Sequence, residues 1–202
     1  MDTPEDFARE EAYAGLVEEI SQQAIDEFTS ARLRSYYLAH PDIAVGAVAL
    51  YREAKTLVSL SPSAALVLFV TSIEVGIKVA LLKPVVYGLV HNESVAELVA
   101  NLAVKHNGLD RFNTLLARLL REYGQIDFET FTIDGHSKSL WQEFTILQNA
   151  RNGVLHRAEL ATPELASLAQ DVAVMILGNY LNSVLRGLGM QLVKGGRISN
   201  AA

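Results

Sequence analysis

The stretch that decides the fold is residues 61–90, which read SPSAALVLFVTSIEVGIKVALLKPVVYGLV. Ser61 followed by Pro62 is typical of a helix start, because proline is well tolerated in the first helical turn. Apolar residues then occur on nearly every side of the helix, which predicts a central helix buried on several faces. Pro84 has no backbone N–H to donate, so we expect it to kink or end this helix.

Helical periodicity continues on both sides of this stretch, as far as the last twenty residues. The predicted elements are a capped helix from Thr3 to about residue 29, a turn at 40–42, and helices at 43–59, 92–105, 110–123, 138–156 and 161–188. Residues 124–137 lose the helical period and predict a loop or at most a small hairpin. The pattern therefore predicts an all-α fold, an antiparallel helical bundle with an N-terminal helical extension. We expect the extension at 1–60, the bundle at 61–190 and a flexible, frayed tail at 191–202.

Composition restricts the class of protein. The chain has 202 residues, of which 50% are hydrophobic and 20% charged, and it contains no cysteine. This is enough apolar material for one well-packed domain, and it excludes a disordered chain. The apolar stretch is interrupted by Glu74, Lys78 and Lys83, so we expect no membrane span. The acidic start lacks the pattern of a signal peptide, and we expect a cytoplasmic protein.

The net charge of −6 is unevenly distributed. Residues 1–30 hold nine of the 23 acidic residues and one of the 17 basic residues. The rest of the chain therefore carries a small positive charge. At first sight the negative total charge argues against a nucleic-acid partner. The small positive charge of residues 31–202 removes that objection.

Several common chemistries have no signature in this sequence. There is no glycine-rich phosphate loop, no dinucleotide-binding fingerprint and no nucleophile elbow. The five histidines are scattered along the chain and lack the spacing of a ligand pair: His40, His91, His106, His136 and His156. We therefore expect neither a metal site nor a cofactor.

The predicted helix at 138–156 carries an unusual pattern near its end. One helical stripe consists of Leu140, Phe144, Leu147, Arg151 and Val154. Position 151 thus continues an apolar stripe but holds a guanidinium, which is costly unless another group pairs with it. Asn152 and His156 lie one turn apart on a neighbouring polar stripe. Two interpretations stay open: an arginine that reaches a surface carboxylate beside an exposed histidine, or a functional constellation.

This segment, Arg151-Asn152-x-x-x-His156 at the end of a penultimate helix, resembles the motif of the HEPN superfamily (higher eukaryotes and prokaryotes nucleotide-binding). The short loop and the capped final helix that follow are similar to that family as well. The resemblance covers about residues 62–188. It implies a metal-independent endoribonuclease of the toxin or phage-defence type, which acts on RNA as a homodimer with both motifs facing one cleft.

The resemblance also implies roles for the motif residues. Arg151 would bind the phosphate through its planar fork of N–H groups. Histidine is the side chain whose free pKa lies near neutrality, so His156 would transfer protons. Asn152 would orient His156 or donate to the phosphate. Arg157 is either a further contact to the RNA backbone or a surface charge.

Glu74 and Lys78 of the central helix each have a structural and a functional interpretation. Glu74 lies where several branches of the family carry a glutamate, and it precedes Lys78 by four residues. It either forms an exposed pair with Lys78 or lies partly buried and faces the motif. Lys78 in turn is a substrate contact or a surface charge.

A non-catalytic alternative stays open, namely a dimeric HEPN-like binding or sensor module. The acidic first helix favours it, because that charge would repel RNA near the cleft. The resemblance also allows an antitoxin partner such as a minimal nucleotidyltransferase.

Overall fold

A computed structural model describes residues 27–89, 95, 121, 127 and 130–201. Helix α1 covers residues 27–39 of the described chain. The following elements are α2 (Val45–Leu57), α3 (Pro62–Val75), a π-helical segment π1 (Gly76–Leu82), α4 (Lys83–Leu89), α5 (Leu140–Arg157), α6 (Pro163–Ala173), a second π-helical segment π2 (Val174–Tyr180), α7 (Leu181–Gly187), β1 (Met190–Val193) and β2 (Arg197–Asn200). The protein is all-α, as the sequence predicts, with one small sheet in the described part. The helices expected at 92–105 and 110–123 lie outside the described residues, except for Val95 and Arg121.

Helix α3 lies at the centre of the described bundle. It packs against α2, α5 and α6, and its side chains Leu66, Phe69 and Ile73 are completely buried. This burial on several sides is what the nearly continuous apolar sequence predicts.

Pro84 does not end the central helix, so of the two expected outcomes the helix end is wrong and the kink stays a prediction. The helix runs from Pro62 through π1 and Pro84 to Leu89. A proline at position 84 leaves the carbonyl of Ala80 without its usual helical donor. The buried hydroxyl of Tyr37 donates to that carbonyl oxygen at 2.6 Å, and burial raises the pKa of Tyr37 well above its usual value. The wide π turn before Pro84 and this hydroxyl together let the helix continue.

The central helix, Pro62–Gly88, is also long and apolar enough to cross a membrane by length and composition. However, 61% of its most apolar window is buried inside the protein. Such burial is typical of the core helix of a soluble protein, where protein side chains take the place that lipid would otherwise occupy.

The described part of segment 1–60 shares the core of the bundle. Leu33 and Tyr37 of α1 and Ala54 of α2 belong to the same buried cluster as α3 and α6. Helix α2 matches the predicted helix at 43–59 to within two residues at each end. The first predicted helix lies mostly outside the described residues.

The predicted flexible tail instead forms an antiparallel hairpin. Strand β1 pairs with β2 in the register Met190 with Asn200 and Val193 with Arg197. The loop between the strands contains Gly195 and Gly196, both with positive φ. Met190 and Ile198 are buried in the main core, and burial of these two side chains holds the hairpin on the helices.

Candidate functional site

Helix α5 positions the motif, and both of its ends are defined by local interactions. At its start the Ser139 hydroxyl accepts from the backbone N–H of Gln142, and the Gln142 side chain accepts from the Ser139 N–H. This reciprocal capping box satisfies two helix-end donors. At its end Ala158 adopts a left-handed conformation with φ 54°, which stops the helix just after the motif.

Arg151 is held by Glu74 of the central helix. Nη2 of Arg151 donates to Oε1 of Glu74 at 2.8 Å, and Nη1 donates to Oε2 at 3.3 Å. Gln148, one turn earlier on α5, donates from Nε2 to the same Oε1 at 3.1 Å. A guanidinium and a carboxylate paired through two hydrogen bonds have a fixed mutual orientation. The guanidinium is therefore held in one orientation by the central helix.

This pair is largely buried between α3 and α5. The side chain of Arg151 is 20% exposed and that of Glu74 is 17% exposed. Nε of Arg151 is buried and has no hydrogen-bond partner in the described part of the chain. The arginine in the apolar stripe thus has the partner that its position requires, and Glu74 is the partly buried carboxylate facing the motif.

Lys78 does not pair with Glu74. It lies half-buried on π1, one turn beyond Glu74, and it forms no ion pair with any residue that the structure describes. Glu74 and Arg151 are thus brought together, whereas Lys78 stays outside their contact.

His156 lies exposed on the last turn of α5. Its side chain makes no hydrogen bond to the described residues. Asn152, one turn before it, is half-buried. Arg151 and His156 are five residues apart, which places them about 140° apart around the helix axis. One chain therefore presents the imidazole and the guanidinium in different directions.

Arg157 is paired with an acidic neighbour. Its Nε donates to Oε1 of Glu159 at 2.6 Å, and both side chains are more than half exposed. The hydrogen bond from Arg157 and its charge lower the pKa of Glu159, and the same pairing raises the pKa of Arg157. The pair lies directly over Gly153, where a Cβ atom would touch the Glu159 carboxylate. Arg157 is thus already neutralised in the isolated chain.

The structure shows one polar pair that the sequence analysis missed. Nδ1 of His136 lies 2.8 Å from Oε1 of Glu143, and the Glu143 side chain is only 6% exposed. The helical spacing of Glu143 from the buried Leu140 and Phe144 is the signal that places this carboxylate towards the core. The pair fastens the loop before α5 to the first turn of that helix, about 20 Å along the axis from His156.

Among the described residues no group of three or more histidine, aspartate or glutamate side chains is arranged to hold a metal ion. The polar constellation at the end of α5 consists instead of a partly buried Glu–Arg–Gln cluster and an exposed imidazole. Proton transfer and anion binding are the chemistries that these groups supply.

No protein-family model matches this chain, and no curated protein and no solved structure matches it either. The similarity to the HEPN superfamily therefore rests on the Arg151–His156 motif and on its place before a capped last helix.

Proposed function

We propose that this protein is a metal-independent endoribonuclease of the toxin or phage-defence type, which acts in the cytoplasm. The observation that carries the proposal is the motif geometry at the end of α5. Arg151 is oriented by a partly buried carboxylate, and His156 is exposed on the last turn of the same helix. The resemblance of this motif to the HEPN superfamily supplies the reaction.

Cleavage without a metal requires removal of a proton from the 2′-OH, stabilisation of the phosphorane and protonation of the leaving 5′-oxygen. A base removes the proton of the 2′-OH, and the 2′-oxygen attacks the adjacent phosphorus. The bond to the 5′-oxygen then breaks, and an acid gives that oxygen a proton. The products are a 2′,3′-cyclic phosphate and a free 5′-OH. His156 moves the protons, Arg151 stabilises the charge on the phosphorane, and Asn152 orients the imidazole.

A homodimer is the form in which this site is complete. Because Arg151 and His156 point in directions about 140° apart, one chain does not direct both side chains at one phosphorus. A two-fold axis near the end of α5 brings two copies of the motif to one groove. One imidazole then acts as the base and the second as the acid.

One observation favours the alternative, a non-catalytic dimeric binding or sensor module. The carboxylate of Glu74 already occupies both terminal nitrogens of Arg151. A phosphate has to share the guanidinium with this carboxylate, since Nε is buried. In the alternative the Glu74–Arg151 pair is purely structural and joins α3 to α5. An antitoxin such as a minimal nucleotidyltransferase is a partner for either function.

The test is RNA cleavage in EDTA by the wild type and by His156→Ala. We expect the wild type to release fragments with a 2′,3′-cyclic phosphate, and His156→Ala to lose at least about a hundredfold in rate, the usual contribution of a proton-transfer group. His156 is exposed, so this variant should keep the wild-type melting temperature. Arg52→Ala, which removes an exposed cation from α2, is the matched control and should cleave normally.

Two results would overturn the nuclease proposal. Wild-type protein that cleaves neither structured nor unstructured RNA points to the binding module, as does cleavage that persists unchanged in His156→Ala. RNA that binds the wild type without being cut would support the alternative directly.

A further inference from the structure

A polar cavity lies beside the second half of the central helix, next to π1 and the start of α4. It has a volume of about 340 Å³ and opens between the end of α1, the turn into α2 and the region of Pro84. Its lining includes Tyr36, His40, Pro41, Asp42, Val79 and Lys83. This volume is at the lower end of the range of small-molecule sites. A compact ligand therefore fits it better than a polymer.

The charged groups around this cavity carry a net positive charge. Asp42 and Lys83 are the two charged residues of its lining. The carboxylate of Asp42 is held by Nε of Arg197 at 2.8 Å. Lys83 is half-buried and forms no ion pair with any residue in the described ranges. Lys83 thus gives the lining one positive charge that has no counter-charge there.

His40 adds a hydrogen-bonding group to the same cavity. Its ring packs against Tyr36 with the ring centroids 4.4 Å apart, which fixes the plane of the imidazole. The ring nitrogens make no hydrogen bond to the described residues. The lining thus holds an imidazole N–H and an ammonium group, and both are donors suited to an anionic oxygen.

The backbone around the cavity is also unusual. Val79 belongs to π1, and Lys83 is the first residue after that segment. Short π-helical turns inside α-helices occur frequently at functional sites. On the other side of the cavity, the first turn of α2 has neither an acidic residue nor a side-chain cap. Nothing in that turn therefore opposes a negative charge near the start of α2.

We propose that this cavity binds a small anionic molecule through a phosphate or carboxylate group. Lys83 provides the charge, His40 donates a hydrogen bond, and the apolar wall at Val79 contacts the rest of the ligand. Asp42 does not repel the ligand because Arg197 neutralises it. This site is separate from Arg151 and His156, and it does not depend on ribonuclease activity.

Occupation of the site would stabilise the contacts that meet there. The turn and the central helix line the cavity, and the hairpin joins that turn because Pro41 accepts a backbone hydrogen bond from Ile198 of β2 at 2.8 Å. A ligand that binds only the folded chain raises its stability by mass action. The melting temperature is therefore a direct measure of binding.

The experiment titrates the purified chain with inorganic phosphate, adenosine monophosphate and citrate at constant ionic strength, with sodium chloride as the reference. We expect at least one of the three anions to raise the melting temperature above the chloride reference and to shift the His40 imidazole resonances. The phosphates and the carboxylate are separate arms, so the anion that binds identifies the chemical group.

Lys83→Met removes the charge and keeps an unbranched side chain that is one atom shorter. We expect it to weaken binding at least about tenfold, equivalent to about 1.4 kcal/mol. Lys55→Met, at an exposed lysine of α2, is the matched control and should bind as the wild type does. Ala39→Phe, at an exposed position of the lining, should block the cavity without changing its charge, which covers the case that Lys83→Met folds poorly.

Equal stabilisation by all anions and by chloride would overturn the proposal, as would wild-type affinity in Lys83→Met or Ala39→Phe. His156→Ala should bind the anion normally. Loss of binding in that variant would place the anion at the end of α5 instead and would equally contradict this site.

Discussion

Arg151 illustrates what a single charged residue requires inside a helical core. The sequence places it in an apolar stripe, and from this position alone one can predict that a partner exists. Which residue that partner is depends on how α3 and α5 pack, because Glu74 is 77 positions away. The sequence therefore left two roles open for Glu74, an exposed pair with Lys78 or a partly buried carboxylate facing the motif. The packing of α3 against α5 selects the second role. His136 and Glu143 were missed because their contact depends on the path of the loop before α5.

At the residue scale we predict that the contributions of Arg151 and Glu74 to the free energy of unfolding are strongly coupled. Arg151→Met leaves a buried carboxylate without its counter-charge and should lower the free energy of unfolding by about 3–5 kcal/mol. The double variant Glu74→Leu with Arg151→Met replaces the pair by apolar groups and should recover most of this loss. Urea unfolding of the two single variants and the double variant measures the coupling.

Glu159→Gln is the control for that experiment, since it removes a carboxylate from an exposed pair on the same helix end. It should leave the urea midpoint almost unchanged. If Arg151→Met were as stable as the wild type, or if the double variant lost as much as the two single variants combined, the pair would not be coupled as the structure indicates.

At the scale of elements, the central helix shows the limit of local rules. Pro84 is a reliable sign of a helix end in its own sequence context. The helix nevertheless continues past Pro84, and the hydroxyl of Tyr37, 43 residues before Ala80, donates to the Ala80 carbonyl that the proline leaves without its usual donor. Helix α5, by contrast, was predicted within about two residues, since its cap, its apolar stripe and its end all lie within the helix itself.

We predict that Tyr37→Phe destabilises the protein by about 1–3 kcal/mol, because the buried carbonyl of Ala80 then loses the hydroxyl donor. The cost should be smaller in a Pro84→Ala background, where residue 84 regains an N–H for that carbonyl. Tyr51→Phe, at a partly exposed tyrosine of α2, is the control and should change stability by less than about 0.5 kcal/mol.

Chemical unfolding measures the loss in the free energy of unfolding that Tyr37→Phe causes in the wild-type background and in the Pro84→Ala background. The same loss in both backgrounds would mean that the hydroxyl does not compensate for the proline.

At the scale of the whole molecule, distant parts of the chain share one core. Leu33 of α1 and Ile198 of β2 belong to the same buried cluster. The tail was expected to fray because it follows the last predicted helix. The alternation of Met190 and Leu192 before two glycines is the strand-and-turn signal that predicts a hairpin. The described part of segment 1–60 likewise packs on the bundle, and a division of the chain at residue 60 stays a prediction.

We predict that Gly196→Ala loosens the hairpin from α2. Gly196 has φ +89°, and a Cβ atom there would lie 2.9 Å from Cγ2 of Val48 and 3.1 Å from the carbonyl oxygen of Ala44. Gly135→Ala is the matched control, since Gly135 has φ +84° but no atom within 4 Å of an added Cβ. Both variants bear the left-handed strain of about 1–2 kcal/mol. Only Gly196→Ala should also increase amide exchange in β1 and β2. Equal losses of stability and equal exchange in the two variants would contradict this contact.

The hairpin also determines when this protein can finish folding in the cell. Arg34 and Asn200, whose side chains are hydrogen-bonded at 2.9 Å, are 166 residues apart in the chain. A ribosome adds about 5–20 residues per second, so the second of these residues emerges roughly ten to thirty seconds after the first. During that interval the corner between α1 and α2 has no strand to cover it. The nascent chain is thus exposed to chaperones and proteases until this hairpin has been made.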